Sequence, residues 1–433
     1  MRETGQIRAH GNLESFILYP YNPPMSDYGT DIFHVAIEPT DRGDVTRVLA
    51  SPMGRGEAPF VSPLNAADLH VFWQTMLAWT EDAGGAWDAA RAVGARLFAA
   101  LIPTPLDEML YAGYRDTFQH QKPLALHLSL GEADRFLTLP WEYLFDPVRR
   151  EFPALSVHSP FARYANLMQR IRPLPVDGPI RALVVVADPT GYPAIDGRRA
   201  WLNVVDTLDY LAADGRLFLE QLQKPTLHDL RRRLRSGDFH IVHFIGHILY
   251  DDQAQDGRLI FEDEMARGRP VSGEHLGQIL RDSYDTRLVI LESADTVFDT
   301  FNPAGLAAAR LIQRGVPATV ALPVDLAGDL TMAFLHELYV ATVSYEPIGQ
   351  AVAQARAAMV AERNAPVWGV PWLLSRTPDG FLFDDGRLPP RKESLPPDRY
   401  RPSLLERVMR LSMDEPLPGS QAPLPKSETD ETS

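Results

Sequence analysis

The chain has 433 residues, of which 45% are hydrophobic and 23% charged, with a net charge of -15 and no cysteine. That length allows two or three domains, or one large domain with extensions. The negative charge disfavours nonspecific binding to nucleic acid or to an anionic membrane, which both need a positive field, and the lack of cysteine excludes disulfides, cysteine-ligated zinc and thiol chemistry.

No stretch approaches the roughly 20 apolar residues that span a bilayer. Met1 to Asn12 is polar, so no signal peptide is expected and the expected address is the cytoplasm. Phe16–Tyr19 and Phe33–Ile37 have strand character. Two helices follow, over Ala66–Ala83 and Ala86–Leu101. Leu69, Phe72, Met76 and Trp79 mark one apolar face, and Ala89, Val93, Leu97 and Leu101 mark the other. Asn65 and Asp68 stand where the first helix wants its N-terminal cap. Leu124–Leu130 alternates as a strand does and leads to Leu139-Pro-Trp-Glu-Tyr-Leu-Phe-Asp146, whose aromatic content predicts close packing on the core.

From Pro179 to Asp384 strands and helices alternate. Arg181–Ala187 is a continuous apolar run, as expected of a central strand buried on both faces. Helix is expected over Arg198–Ala212, strand over Arg216–Glu220, helix over Thr226–Leu234 and strand over Phe239–Ile245. Helix over Glu274–Leu280, strand over Arg287–Leu291, helix over Gly305–Gln313 and strand over Val316–Leu322 come next, then helices over Asp329–Ala341 and Ile348–Val360. This succession with short links predicts a parallel sheet covered on both faces. The one basic run, Arg231 to Arg235, reads as a solvated helix face. From Leu388 the chain is proline-rich and is expected to be largely disordered, apart from an amphipathic helical island over Leu404–Met413.

In open α/β sheets the chemistry sits at the carboxyl ends of strands. The third strand of the alternating region ends in Gly246-His247, and the fourth in Glu292-Ser293-Ala294-Asp295. A parallel sheet can make these ends neighbours. The sequence holds no phosphate-binding loop, dinucleotide fingerprint or HExxH, so no cofactor and no metal are expected.

Several segments in order resemble the CHAT-domain family, of the caspase and separase superfamily of cysteine endopeptidases. They are Leu139–Asp146, Leu183–Pro189, His243-Phe-Ile-Gly-His247, Gly257–Asp263, Val271–Leu276, Leu288-Val-Ile-Leu-Glu-Ser-Ala294, Gly315–Val320 and Trp368-Gly-Val-Pro371, which span about Leu97 to Phe383. The resemblance implies an α/β fold: a caspase-like three-layer sandwich with a mostly parallel central sheet over residues 176–387. A mixed α/β region, 1–175, would precede it and pack on the core, and the tail, 388–433, would follow.

In this family a histidine and a cysteine form a dyad, and backbone N–H groups beside it stabilise the oxyanion. By resemblance His247 takes the histidine position and Ala294 the cysteine position. A methyl group neither ionises nor attacks a carbonyl, so the chain as written cannot be a cysteine peptidase. The family usually has glycine after the histidine, where this chain has Ile248, so an altered backbone is expected at the oxyanion contact. Loss of catalysis in the natural protein accounts for both departures, whereas replacement of a lone cysteine accounts only for Ala294. Ser293 is a minor candidate as substitute nucleophile, but as the strand neighbour of Ala294 it is expected to face away from His247. Asp295 and Asp263 are acidic candidates for a cleft that would favour basic side chains, and Glu264 and Asp299 lie in similar loops. The plainer reading of all four is solvated loop charge.

The expected function is thus a pseudoprotease that binds a peptide or protein partner in a regulatory role, with bacterial signalling, defence or regulated cell death implied by the resemblance. The alternative is a caspase-like endopeptidase whose nucleophile has been replaced by Ala294. A third reading is a scaffold that supports the N-terminal region. Neither nucleic acid nor membrane is expected as a partner.

Overall fold

The computed structural model describes residues 30–79, 84–131, 134–165, 167, 171–295, 302–323, 326–384 and 386. The expected strand at Phe16–Tyr19, the tail from Leu388 with its island Leu404–Met413, and Asp299 lie outside these residues.

Strands β1 (Asp31–Thr40) and β2 (Gly43–Ala50) form a hairpin around Asp41 and Arg42, and β3 (Gly56–Phe60) pairs antiparallel with β2. Gly43 leaves the turn at φ +116°, a conformation that side chains disfavour. Helix α1 (Ala66–Leu77) opens on a capping box in which Asn65 accepts from the Asp68 N–H and Asp68 accepts from the Asn65 N–H, both at 3.0 Å. It ends well before Ala83, capped at Ala78. Helix α2 (Gly84–Leu101) buries Ala90, Gly94, Leu97 and Phe98, whereas Ala89 and Val93 are only half-buried. Of the expected stripe Leu97 and Leu101 are fully buried, while Ala90 and Gly94 take the places expected of Ala89 and Val93. The reason is close backbone contact: a Cβ on Gly94 would lie 2.0 Å from the carbonyl oxygen of Tyr143.

Helix α3 (Leu106–Gln119), β4 (Leu124–Ser129), a short 3-10 turn at Trp141–Tyr143 and β5 (Phe161–Tyr164) complete the first part. The two-residue strand β6 (Leu174–Pro175) comes before β7 (Ile180–Val186), α4 (Gly197–Ala213), β8 (Leu217–Gln221), α5 (Leu227–Arg235) and β9 (Ile241–Gly246). A small antiparallel sheet of β10 (Ile248–Asp251), β11 (Asp256–Glu262) and β12 (Gly268–Ser272) leads into α6 (Gly273–Arg281). Then come β13 (Leu288–Ser293), α7 (Pro303–Gln313), β14 (Ala318–Leu322), α8 (Gly328–Val343), α9 (Ile348–Arg363), β15 (Trp372–Ser375) and β16 (Phe383–Asp384), which pairs with β6.

Among the described residues eleven strands form one sheet, in the order β3-β2-β1-β4-β5-β15-β14-β13-β9-β7-β8. The run β1-β4-β5-β15 is parallel, and so is the run β14-β13-β9-β7-β8. The two runs meet antiparallel at β14 and β15. The fold is thus α/β with a mostly parallel central sheet, and residues before 175 supply strands to the same sheet as those after it. Strand residues alternate between two cores: Ala182, Val184 and Ile290 face α4, α8 and α9, whereas Leu183, Val185 and Val289 face α5, α6 and α7. Among the described residues no helix is long and apolar enough to cross a membrane.

A buried ion pair lies where the two runs meet. Arg163 on β5 donates to both oxygens of Glu142, at 2.8 and 2.7 Å, and its guanidinium lies 3.5 Å from the centre of the Trp372 ring on β15. Arg356 on α9 comes within 4.0 Å of the same carboxylate and donates to Pro371 O at 2.8 Å. Burial pushes the Arg356 guanidinium down to about 10 against the opposing pull of Glu142. The acidic residue of the Leu139–Asp146 motif therefore anchors the 3-10 turn to three other elements. The basic run on α5 is largely exposed apart from Leu234, and Arg232 and Arg233 pair with Asp229 and Glu220.

Candidate functional site

Strands β9 and β13 are parallel neighbours with Glu292 opposite Ile245 and Ser293 opposite Gly246. One residue beyond, the Ala294 N–H donates to Gly246 O at 3.0 Å. The register therefore brings His247 and Ala294 side by side at the carboxyl ends of two central strands.

The His247 ring is 2% exposed and bonded at both nitrogens. Its Nε2 lies 2.8 Å from Pro193 O, and its Nδ1 lies 2.8 Å from Asp295 Oδ1. A carbonyl oxygen only accepts, so Nε2 is the donor to Pro193. With Nε2 facing Pro193 and Nδ1 facing the Asp295 carboxyl group, both ring nitrogens are engaged within the protein. The second carboxylate oxygen, Oδ2, accepts from the Ile248 N–H at 2.8 Å and from Ser293 Oγ at 3.3 Å. Asp295 thus engages His247, Ile248 and Ser293 at once.

The loop between β7 and α4 supplies the other side. The Asp188 N–H donates to Glu262 at 3.0 Å, the Thr190 N–H to Ala266 O at 2.8 Å, and the Ile195 N–H back to Asp188 at 3.2 Å. These bonds hold Pro193 against His247 and lay the Tyr192 ring over the imidazole, with centroids 5.5 Å apart and planes 30° apart. Tyr192 in turn needs Gly268, since a Cβ there would lie 2.1 Å from Tyr192 Cε2.

The sequence-named residues divide as follows. His247, Ile248, Ser293, Ala294 and Asp295 come together. The Ser293 hydroxyl accepts from the Asp295 N–H and donates to the Asp295 carboxylate, and it makes no hydrogen bond to His247. Ile248 does not have the positive φ that glycine would permit; it opens β10, and its side chain is 1% exposed in the core on the α5–α7 face. The isoleucine is taken up as a strand residue, with the backbone of β10. Asp263 builds the β11–β12 turn: its carboxylate accepts from the Met265 and Arg267 N–H groups and pairs with the Arg267 side chain, whose hydrogen bond first among these holds it at about 2. It shares no hydrogen bond with His247.

Sequence reasoning missed Tyr192 and Pro193, which sit in a loop without periodicity. It also missed a second polar chain: buried His243 meets Glu292 at 3.2 Å and the Tyr339 hydroxyl at 3.3 Å. Burial pushes the Tyr339 phenol well above its ordinary value. His243 and Tyr339 belong to the α8–α9 side of the sheet, and this chain makes no hydrogen bond to His247. Among the described residues no group of three or more His, Cys, Asp or Glu side chains is placed to hold a metal ion.

The family model described as the CHAT domain matches residues 91–394. No protein of curated function matches the chain in sequence. Among solved structures, separase in the Saccharomyces cerevisiae separase–securin complex is similar over 80% of this chain and 30% of its own, at 9% identity and a TM-score of 0.42. The Arg-specific cysteine proteinase gingipain R is similar over 84% of this chain and 80% of its own, at 9% identity and a TM-score of 0.39.

Proposed function

Because the chain belongs to the CHAT domain family, we propose that it is a pseudoprotease, a peptide- or protein-binding regulatory module that keeps the cleft of a cysteine endopeptidase without its chemistry. The observation that carries this reading is Ala294 beside His247, where a nucleophile would have to stand. Peptide hydrolysis of this type needs a thiolate, a base or acid within reach of it, and N–H donors for the oxyanion. Here the first is a methyl group. The imidazole is tied at both nitrogens, and the Ile248 N–H is taken by Asp295. Ser293 offers no rescue, because its hydroxyl is also committed to Asp295.

Regulation of a bacterial signalling, defence or cell-death pathway through a protein partner, in the cytoplasm, belongs to the same proposal. A labelled random-peptide pool passed over the immobilised full chain tests it. Retained, uncut peptides whose binding drops in His247→Ala are expected. Fragments would overturn the loss of catalysis, and retention indifferent to His247 would overturn the use of the cleft.

A specific observation favours one alternative, a cysteine endopeptidase whose nucleophile has been replaced. His247 and the Ile248 N–H are still adjacent, as such an enzyme would need. The codon for position 294 in the encoding gene separates the two readings.

A further inference from the structure

We propose that His247, Ile248 and Ser293 form a carboxylate-binding cradle, that Asp295 fills it as a resident stand-in, and that its external ligand is a carboxylate of a peptide partner. The proposal rests on the pseudoprotease reading and names the chemistry that its cleft recognises.

Three polar groups converge on one carboxylate. His247 Nδ1 reaches one oxygen at 2.8 Å, and the Ile248 N–H and the Ser293 hydroxyl reach the other at 2.8 and 3.3 Å. Hydrogen-bonding groups spread over both oxygens of a carboxylate make a directional contact. His247, Ile248 and the Ser293 backbone are fixed by contacts that do not involve the Asp295 carboxylate, whereas the Ser293 hydroxyl is bonded to Asp295 itself. His247 is held by Pro193 O and the Tyr192 ring. Ile248 is held by β-pairing with Leu259 and by its buried side chain, and Ser293 by its register with Gly246. The imidazole and the Ile248 amide therefore keep their places when the carboxylate leaves, and the buried Ile248 N–H is left seeking an acceptor.

The occupant differs from the cradle in exposure. The Asp295 side chain is 21% exposed, against 2% for His247, so solvent reaches the carboxylate but not the ring beneath it. Asp295 also lies beyond the end of β13 rather than within it. An incoming carboxylate, from a peptide C-terminus or an acidic side chain, exchanges with it without moving either strand. This reverses the preference for basic peptides expected from a cleft lined by acids, because the acid that matters is the bound group and not the wall. A tethered competitor acts at high effective concentration, so the native chain binds free carboxylates weakly and gains affinity once Asp295 is removed.

The test uses the full chain, native and as Asp295→Ala, titrated with N-acetylalanine, its amide, and N-acetylaspartate amide, with binding read by calorimetry. The acid is expected to bind Asp295→Ala at least tenfold more tightly than the native chain, and the alanine amide not at all. Binding of N-acetylaspartate amide at similar strength shows that the cradle takes side-chain and C-terminal carboxylates alike, and its failure restricts the ligand to a C-terminus. Asp295→Ala with His247→Ala is expected to lose binding. Asp295→Asn, which keeps the shape and removes the charge, is expected to gain part of the affinity and guards against a fold defect in the alanine variant. Equal binding of acid and amide, equal binding by native chain and both variants, or binding that survives loss of His247 overturns the cradle. If the peptide pool is still retained through His247 in that event, the pseudoprotease reading stands without it.

Discussion

Replacing Glu142 by glutamine tests whether the join between the two strand runs depends on the buried ion pair. Glu142 and Arg356 are fully buried and Arg163 is 3% exposed, so solvent screens none of the three. The substitution keeps the size of the side chain and removes its charge, which leaves two guanidiniums in the core without a counter-ion. Breaking a buried pair by removing one partner costs about 3–5 kcal/mol. Against a total stability of about 5–15 kcal/mol this is a large share. With a urea slope of about 3 kcal/mol per molar, the midpoint falls by about 1–1.7 M. Equilibrium urea unfolding followed by tryptophan fluorescence reads the change directly, since Trp372 lies against Arg163. As a control, Asp88→Asn breaks the exposed pair with Arg91 and should leave the midpoint where it is. A shift below about 0.3 M for Glu142→Gln would refute the reasoning, because it would mean that the guanidiniums find water or other acceptors.

Two further outcomes follow from the same structure. His34 and His127 are buried neutral, held at about 3 and about 4 by desolvation, with the neighbouring His127 adding to the effect at His34. The unfolded chain binds protons near 6.5, so below that pH it takes up more protons than the folded chain does. The contribution of these rings is complete above about pH 6.5 and is lost as pH falls toward 4, at about 2 kcal/mol each by pH 5. Urea midpoints at pH 7.5 and pH 5 check this, and a double His34→Gln, His127→Gln variant should flatten the difference. Gly268→Ala places a methyl group against Tyr192 and is expected to loosen the loop over His247. Faster hydrogen exchange at residues 188–195, with the β9 and β13 amides unchanged, is the expected signature, and uniform slowing or no change would contradict it.

The alternating region was largely readable because parallel strands buried on both faces need continuous apolar runs, as in Arg181–Ala187. Caps helped as well: Thr226 accepts from the Asp229 N–H at the start of α5, and Asn65 does the same for α1. Elements whose burial is decided by distant partners were not readable. The short strand β15 follows its neighbour β14 only after two helices and joins the sheet antiparallel. Helix α3 went unread although Asp107 and Glu108 occupy its first turn. On α2 the expected stripe was right at Leu97 and Leu101 but named Ala89 and Val93 in place of Ala90 and Gly94, because the close contact at Gly94 carries no hydrophobic signal. At the site, His247 and Asp295 stand 48 residues apart, and only the register of β9 on β13 joins them. The plainer reading of Asp295 from sequence was solvated loop charge, whereas its carboxylate is spent on the histidine and on the Ile248 N–H.

The measurement that bears most directly on the account is the reactivity of a cysteine placed at position 294. The native chain has no cysteine, so Ala294→Cys carries a single thiol and an electrophilic peptide probe can label nowhere else by that route. Thiolate formation beside the histidine controls the rate. The account predicts slow labelling of Ala294→Cys, because Asp295 holds the imidazole. It predicts labelling at least tenfold faster when Asp295→Ala is added, and loss of that gain when His247→Ala is added as well. Fast labelling of Ala294→Cys alone, or a gain that survives removal of His247, would contradict it.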